Sequence, residues 1–158
     1  MMRNDRGPKV VGRYLGALHR FARRYFATEM ERLDLPPVAF PLLMRLLHRD
    51  QVSQEDLVTD FLVDKGTVAR TLANLEDAGL VTREVDPDDR RIKRVSVTEK
   101  ARELENDIKA VSRRWDGKLT EGFTDEEREQ LLNYLARMKQ NARRHWHEMS
   151  QTDERREK

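Results

Sequence analysis

A mainly α-helical fold carrying one small β-hairpin is predicted by three features of the sequence. Apolar residues recur at helical spacing along most of the chain. The pattern turns strand-like only between Leu80 and Val97. Ser53, Asp64, Thr98 and Thr124 each stand at the head of a periodic segment, where a short oxygen-bearing side chain caps a helix.

The elements follow in order. Residues 1–8 are polar and are expected to be loose. A first helix, within 9–34, carries Val11, Leu15, Leu18, Ala22, Tyr25 and Phe26 on one side and Arg13, Arg20, Arg23 and Arg24 on much of the rest. Asp34-Leu35-Pro36-Pro37 reads as a turn opening a second helix, whose apolar face is Leu42, Leu43, Leu46 and Leu47. Ser53-Gln54-Glu55-Asp56 has the form of a capping box and starts a short third helix over about 53–60. Phe61-Leu62-Val63 is a tight apolar turn, Asp64 caps a fourth helix that runs to about Ala78, and Gly79 occupies the left-handed position that ends it. Leu80 to Val85 is a strand, Asp86-Pro87-Asp88-Asp89 is turn chemistry, and Arg91 to Val97 is a second strand. Thr98 then opens one long linker helix over 98–119, with Leu104, Ile108, Val111, Trp115 and Leu119 near heptad spacing. A last helix over 124–149 carries Leu131, Leu135, Met138 and Ala142, and the polar tail 150–158 is expected to be disordered.

Composition bounds the function. The 158 residues suit one domain with helical extensions. With 38% charged and 37% hydrophobic residues, the chain reads as a charged surface around a modest core, completed against a partner subunit. The net charge of +2 gives no large basic field, so nucleic-acid binding has to rest on local charge. The absence of cysteine excludes disulfides, thiolate metal sites and sensing through the chain's own thiols. His145 and His147 stand two apart, on different sides of a helix, so no metal is expected, and no cofactor either. No apolar run approaches the ~20 residues that span a bilayer, and Met1 to Pro8 has no apolar stretch behind it. The expected compartment is the cytoplasm, with no membrane partner. A Gly-rich phosphate loop, a nucleophile elbow and a His–carboxylate cluster are all missing, which argues against an enzyme.

Two short helices, a tight turn and a hairpin over 36–98 form a winged helix-turn-helix, a scaffold that holds one helix proud enough to enter the major groove of duplex DNA. On that fourth helix Val68, Leu72 and Leu75 share the inward face. Gly66, Thr67, Arg70 and Asn74 lie opposite, flanked by Thr71. Arg70 suits guanine O6 and N7, Thr67 and Thr71 suit bases or phosphates, and Lys65 with the free first-turn amides suits a phosphate. Ser53 and Gln54, heading the third helix, join this DNA-facing set. At the hairpin, Arg90, Arg91, Lys93 and Arg94 place four cations in five residues, and an arginine there suits a narrow minor groove. Asp88 or Asp89 is expected to orient a neighbouring guanidinium. Between 64 and 98 seven basic residues meet seven acidic ones, so a winged-helix protein-interaction module that does not read DNA stays open as the alternative.

The run from Asp64 to Leu72, the run from Leu75 to Val81, and the wing segment Asp86 to Thr98 resemble MarR-family regulators. Asp89, Arg91, Val95 and Thr98 fit the family's wing pattern, and Val97 stands where leucine is usual. The resemblance spans about 10–148. It implies a homodimer whose first and last helices interlock, reading a pseudo-palindromic operator, most often as a repressor. It makes Arg91 the minor-groove arginine with Asp89 as its support, and Arg90 the competitor for that role. It also implies a small phenolic or anionic effector, for which His19, Arg20, Arg23 and Phe40 are the candidate lining. The apolar seams of the terminal helices agree with dimerisation: Leu15, Leu18 and Ala22 on the first, Leu131, Leu135 and Met138 on the last.

Overall fold

The computed structural model describes residues 10–156, without the side chains of 147 and 150–156. The loose N-terminus expected over 1–8 lies outside the described residues. The order of elements is α1 (Val11–Arg32), α2 (Ala39–His48), β1 (Val52–Ser53), α3 (Gln54–Phe61), α4 (Lys65–Asp77), β2 (Val81–Val85), β3 (Lys93–Val97), α5 (Glu99–Glu103), α6 (Glu105–Leu119) and α7 (Asp125–Arg156). The chain groups into two units, one ending at Trp115 and one starting at Asp116.

The first unit surrounds a single apolar cluster. Met30 of α1, Leu43 and Leu46 of α2, Leu57 of α3, Val68, Leu72 and Leu75 of α4, Val81 and Val95 of the strands, and Ile108 and Val111 of α6 are all buried in it. The inward face expected of the fourth helix is therefore the one that packs. Trp115 stacks on Tyr25, with ring centroids 4.8 Å apart, and Phe26 stacks on Phe40 at 3.8 Å. Glu29, buried, binds Arg32 and Arg114, the latter at 2.8 Å, and so joins α1 to α6. Arg114 is the largest cause holding the Glu29 carboxyl below its ordinary range.

Several expectations shift. Pro36 and Pro37 precede α2 rather than sitting in its first turn. The helix starts at Ala39, whose amide bonds back to Pro36 O at 2.9 Å, and it is Pro41 that uses a first-turn position needing no N–H. A third strand, β1, pairs with β3, giving the antiparallel order β1-β3-β2. Its two residues are too few to leave a periodic signal. The long linker helix divides at Leu104, which ends α5 before α6 begins. Its apolar side feeds the core of the first unit: Ile108 and Val111 are buried there, and only Leu119 stands well exposed. In the second unit α7 runs on to Arg156, so the tail expected to be disordered from 150 is helical up to that residue.

The terminal helices leave apolar surface uncovered. On α1, Val11, Tyr14, Leu15, Leu18 and Phe21 are exposed; on α7, Leu132, Tyr134, Leu135, Trp146 and Met149 are. No helix among the described residues is long and apolar enough to cross a membrane.

Candidate nucleic-acid interface

The third and fourth helices are set by their caps. Ser53 Oγ accepts from the Asp56 amide at 3.0 Å and starts α3. At the α3 end Leu62 takes a left-handed conformation (φ 51°), which makes the turn, and Asp64 begins α4 two residues later. Asp64 accepts from both the hydroxyl and the amide of Thr67, at 2.6 and 2.8 Å, and these two bonds hold its carboxyl below the ordinary range. The glycine at 66 belongs to this cap: a Cβ there would stand 3.0 Å from Asp64 Oδ1.

On α4, Lys65, Gly66, Arg70 and Asn74 are exposed, and Thr67 and Thr71 half-buried, on the side away from Val68, Leu72 and Leu75. Both threonine hydroxyl protons are engaged inside the helix, Thr67 on Asp64 and Thr71 on the Thr67 carbonyl at 2.9 Å. Neither threonine is therefore the free donor expected of it. They retain lone pairs and methyl groups, and Arg70 and Asn74 remain as the donors of this face.

The wing hangs on Asp86, expected from the sequence only as part of the turn. Asp86 is buried, accepts from the amides of Asp88 and Asp89 at 2.8 and 3.1 Å, and pairs with Arg94. Those two amides, then Arg94, depress its carboxyl pKa. Arg94 continues to the carbonyl of Gln51 at 3.1 Å, tying the hairpin to the loop before β1. Of the four wing cations, Arg94 is thus structural. Asp89 accepts from the backbone amide of Arg91 at 3.0 Å, so it supports Arg91 through the main chain and neither it nor Asp88 grips a neighbouring guanidinium. Arg90, Arg91 and Lys93 are exposed and make no ion pair among the described residues. A signal for Asp86 was present in the chain: an aspartate with two free amides two and three residues on has the form of an Asx turn.

Between wing and helices lies a recess of about 300 Å³ lined by Ser53, Gln54, Glu55, Val58, Lys65, Arg91, Ile92 and Lys93. It gathers residues from α3, α4 and the hairpin that the sequence could only treat separately. The one acid among its described lining residues, Glu55, binds Lys65 at 3.0 Å.

Comparison with known proteins identifies the scaffold. The family model of the MarR family matches residues 33–92. The uncharacterized HTH-type transcriptional regulator YdgJ of Bacillus subtilis (strain 168) is 37% identical over 100 residues, which are 63% of this chain and only 61% of that relative's length. The crystal structure of a MarR transcriptional regulator from Methanosarcina mazei Go1 superposes with a TM-score of 0.82 at 36% identity, over 85% of this chain and 96% of that one. This chain belongs to the MarR family. A further MarR-family regulator, from Listeria monocytogenes and crystallised with 26mer DNA, is 27% identical with a TM-score of 0.79, over 85% of this chain and 89% of that one.

In this MarR-family chain the residues named from the sequence as effector lining stand in different surroundings. Phe40 is buried in the aromatic stack, where its ring closes the core. Arg20 and Arg23 instead share a recess with Arg24 and Ala27 that His19 does not line. Of the seam residues, Leu15, Leu18 and Leu135 are exposed and Ala22, Leu131 and Met138 half-buried. His145 pairs with Glu148, the His147 side chain lies outside the description, and the described residues hold no cluster suited to a metal.

Proposed function

We propose that this chain is a homodimeric transcription regulator that reads duplex DNA sequence-specifically. Helix α4 lies in the major groove, with Arg70 and Asn74 on base edges, and the wing reaches the adjacent minor groove through Arg91. Lys65, Lys93 and the amides at Ser53 and Gln54 hold phosphates. The observation that carries this reading is the recess between α3, the start of α4 and the wing, which gathers Lys65, Arg91 and Lys93 beside the N-terminus of α4. Its likeness to a Listeria regulator crystallised with DNA supports it. Dimerisation accounts for the exposed apolar residues of α1 and α7 by burying them against a second copy, and two copies related by a two-fold axis present two α4 helices to a pseudo-palindrome. Repression by occupying a promoter, relieved by a small effector, completes the reading.

Selection from a pool of random duplexes, with enriched sites retested across a salt series, tests it. The expected result is a pseudo-palindrome with half-sites about one helical turn apart and a steep salt slope. Absence of enrichment, with weak binding erased by salt, would favour the protein-interaction module instead.

A further inference from the structure

In the unit ending at Trp115, Arg32, Arg45, Arg83, Arg94, Arg102 and Arg114 are each clamped to a carboxylate. The arginines without an ion pair among the described residues fall into two groups, apart from Arg49 and Arg113, which stand singly. Arg70, Arg90 and Arg91 are the first group, in the interface described above. Arg20, Arg23 and Arg24 are the second. They are exposed and converge, over Ala27, on a recess of about 280 Å³. We propose that these three guanidinium groups form a site for a phosphate-type oxyanion carried by a small molecule.

Sequence and geometry both support it. From Val11 to Thr28 helix α1 holds no acidic residue, and the first acid reached, Glu29, is already taken by Arg32 and Arg114. At 100° per residue Arg20, Arg23, Arg24 and Ala27 share one face, opposite Ala22, Tyr25 and Glu29, so the trio is turned away from the packed side of its own helix. Three like charges within two turns repel one another while the site is empty. An oxyanion with two or more charges removes that repulsion and meets the forked donors that guanidinium offers in pairs. The recess lies at the small end of ligand pockets, which suits one phosphate-sized group with a modest appendage. None of the three arginines lines the recess beside the wing, and the inference does not rest on DNA reading.

The test is thermal unfolding of the full chain in inorganic phosphate or pyrophosphate against sodium chloride of equal ionic strength. Three proteins are compared: the natural chain, Arg20→Gln/Arg23→Gln/Arg24→Gln, and Arg90→Gln/Arg91→Gln. All five positions are exposed, and circular dichroism checks the folds. Phosphate is expected to raise the midpoint of the natural chain and the wing variant by about 2–4 °C, and the shift should be less than half as large in the α1 variant. No shift beyond that of chloride, or an equal shift in all three, overturns the site. A duplex titration then fixes the source. Unchanged salt dependence in the α1 variant assigns the oxyanion to a small molecule, whereas a slope flattened by about two to three contacts assigns it to the DNA backbone and overturns the small-molecule assignment.

Discussion

Replacing Glu55 by Gln is expected to tighten duplex binding about two- to tenfold while slightly destabilising the fold. Glu55 is the only acid among the described residues that line the recess beside the wing, and its carboxylate holds Lys65 Nζ at 3.0 Å with both side chains well exposed. A phosphate entering that recess has to take Lys65 from Glu55. An exposed pair of this kind is worth about 0.2–1 kcal/mol. The carboxylate also repels a phosphate some 6 Å away by roughly 0.7 kcal/mol in water, less once salt screens it. Together these give about 0.5–1.4 kcal/mol, and 1.4 kcal/mol is tenfold in affinity. On the other side, an acid in the first turn of α3 favours the helix dipole by about 0.3–1 kcal/mol, so the midpoint of unfolding should fall by a few degrees. Fluorescence anisotropy with an enriched duplex at several salt concentrations, beside a thermal melt, reads both signs. Affinity that falls together with stability, or does not move, would refute a phosphate in the recess.

Four other outcomes are expected. Arg70→Ala should cost about 1–3 kcal/mol at the preferred site and relax specificity there, measured by competition between site variants; a uniform loss on all sequences would make Arg70 a phosphate contact. Arg91→Ala should weaken sites with A·T-rich flanks most, and an unchanged flank preference in a repeated selection counts against the minor-groove role. Leu135→Asp should give monomers with little duplex affinity, seen by sedimentation; a monomer binding as well as the natural chain would contradict the seam. The Glu29 carboxyl is held below its ordinary range, chiefly by Arg114, so its stabilisation is fully present above that range and is lost as pH falls through the depressed value. Acid titration of Glu29→Gln should show a smaller loss of stability over that interval, and an identical profile would sink the assignment.

What the sequence disclosed depended on range. Val68, Leu72 and Leu75 betray the buried side of α4 because their spacing repeats within one helix, and Ser53 and Asp64 announce their helices because a cap acts over three residues. The pairing of Asp86 with Arg94 was harder, since the two meet only when the hairpin folds back, and in the linear chain Arg94 looks like one more cation of the wing. Phe40 looked like a ligand contact for the same reason: its stacking partner Phe26 sits in another helix. The interruption at Leu104 has no glycine or proline to mark it. The continuation of α7 to Arg156 was hidden because its last turns carry polar residues alone, a composition shared by solvated helix and loose tail.

Clamping the arginines around the hairpin to carboxylates also bears on kinetics. If, as proposed, the chain has to find one site among a genome of competitors, each unpaired cation lengthens its stay on DNA of any sequence, because the phosphate contacts are the same everywhere. Arg83, Arg94 and Arg102 lie on or beside the hairpin yet are held by Glu76, Asp86 and Asp50, and so add less to that indiscriminate grip than free cations would. On the proposed reading such a chain would leave random DNA readily, sample many positions in short visits and dwell where α4 finds its bases. Breaking one of these pairs would then lengthen the visits to wrong sites and slow the search, even where occupancy of the right one rose.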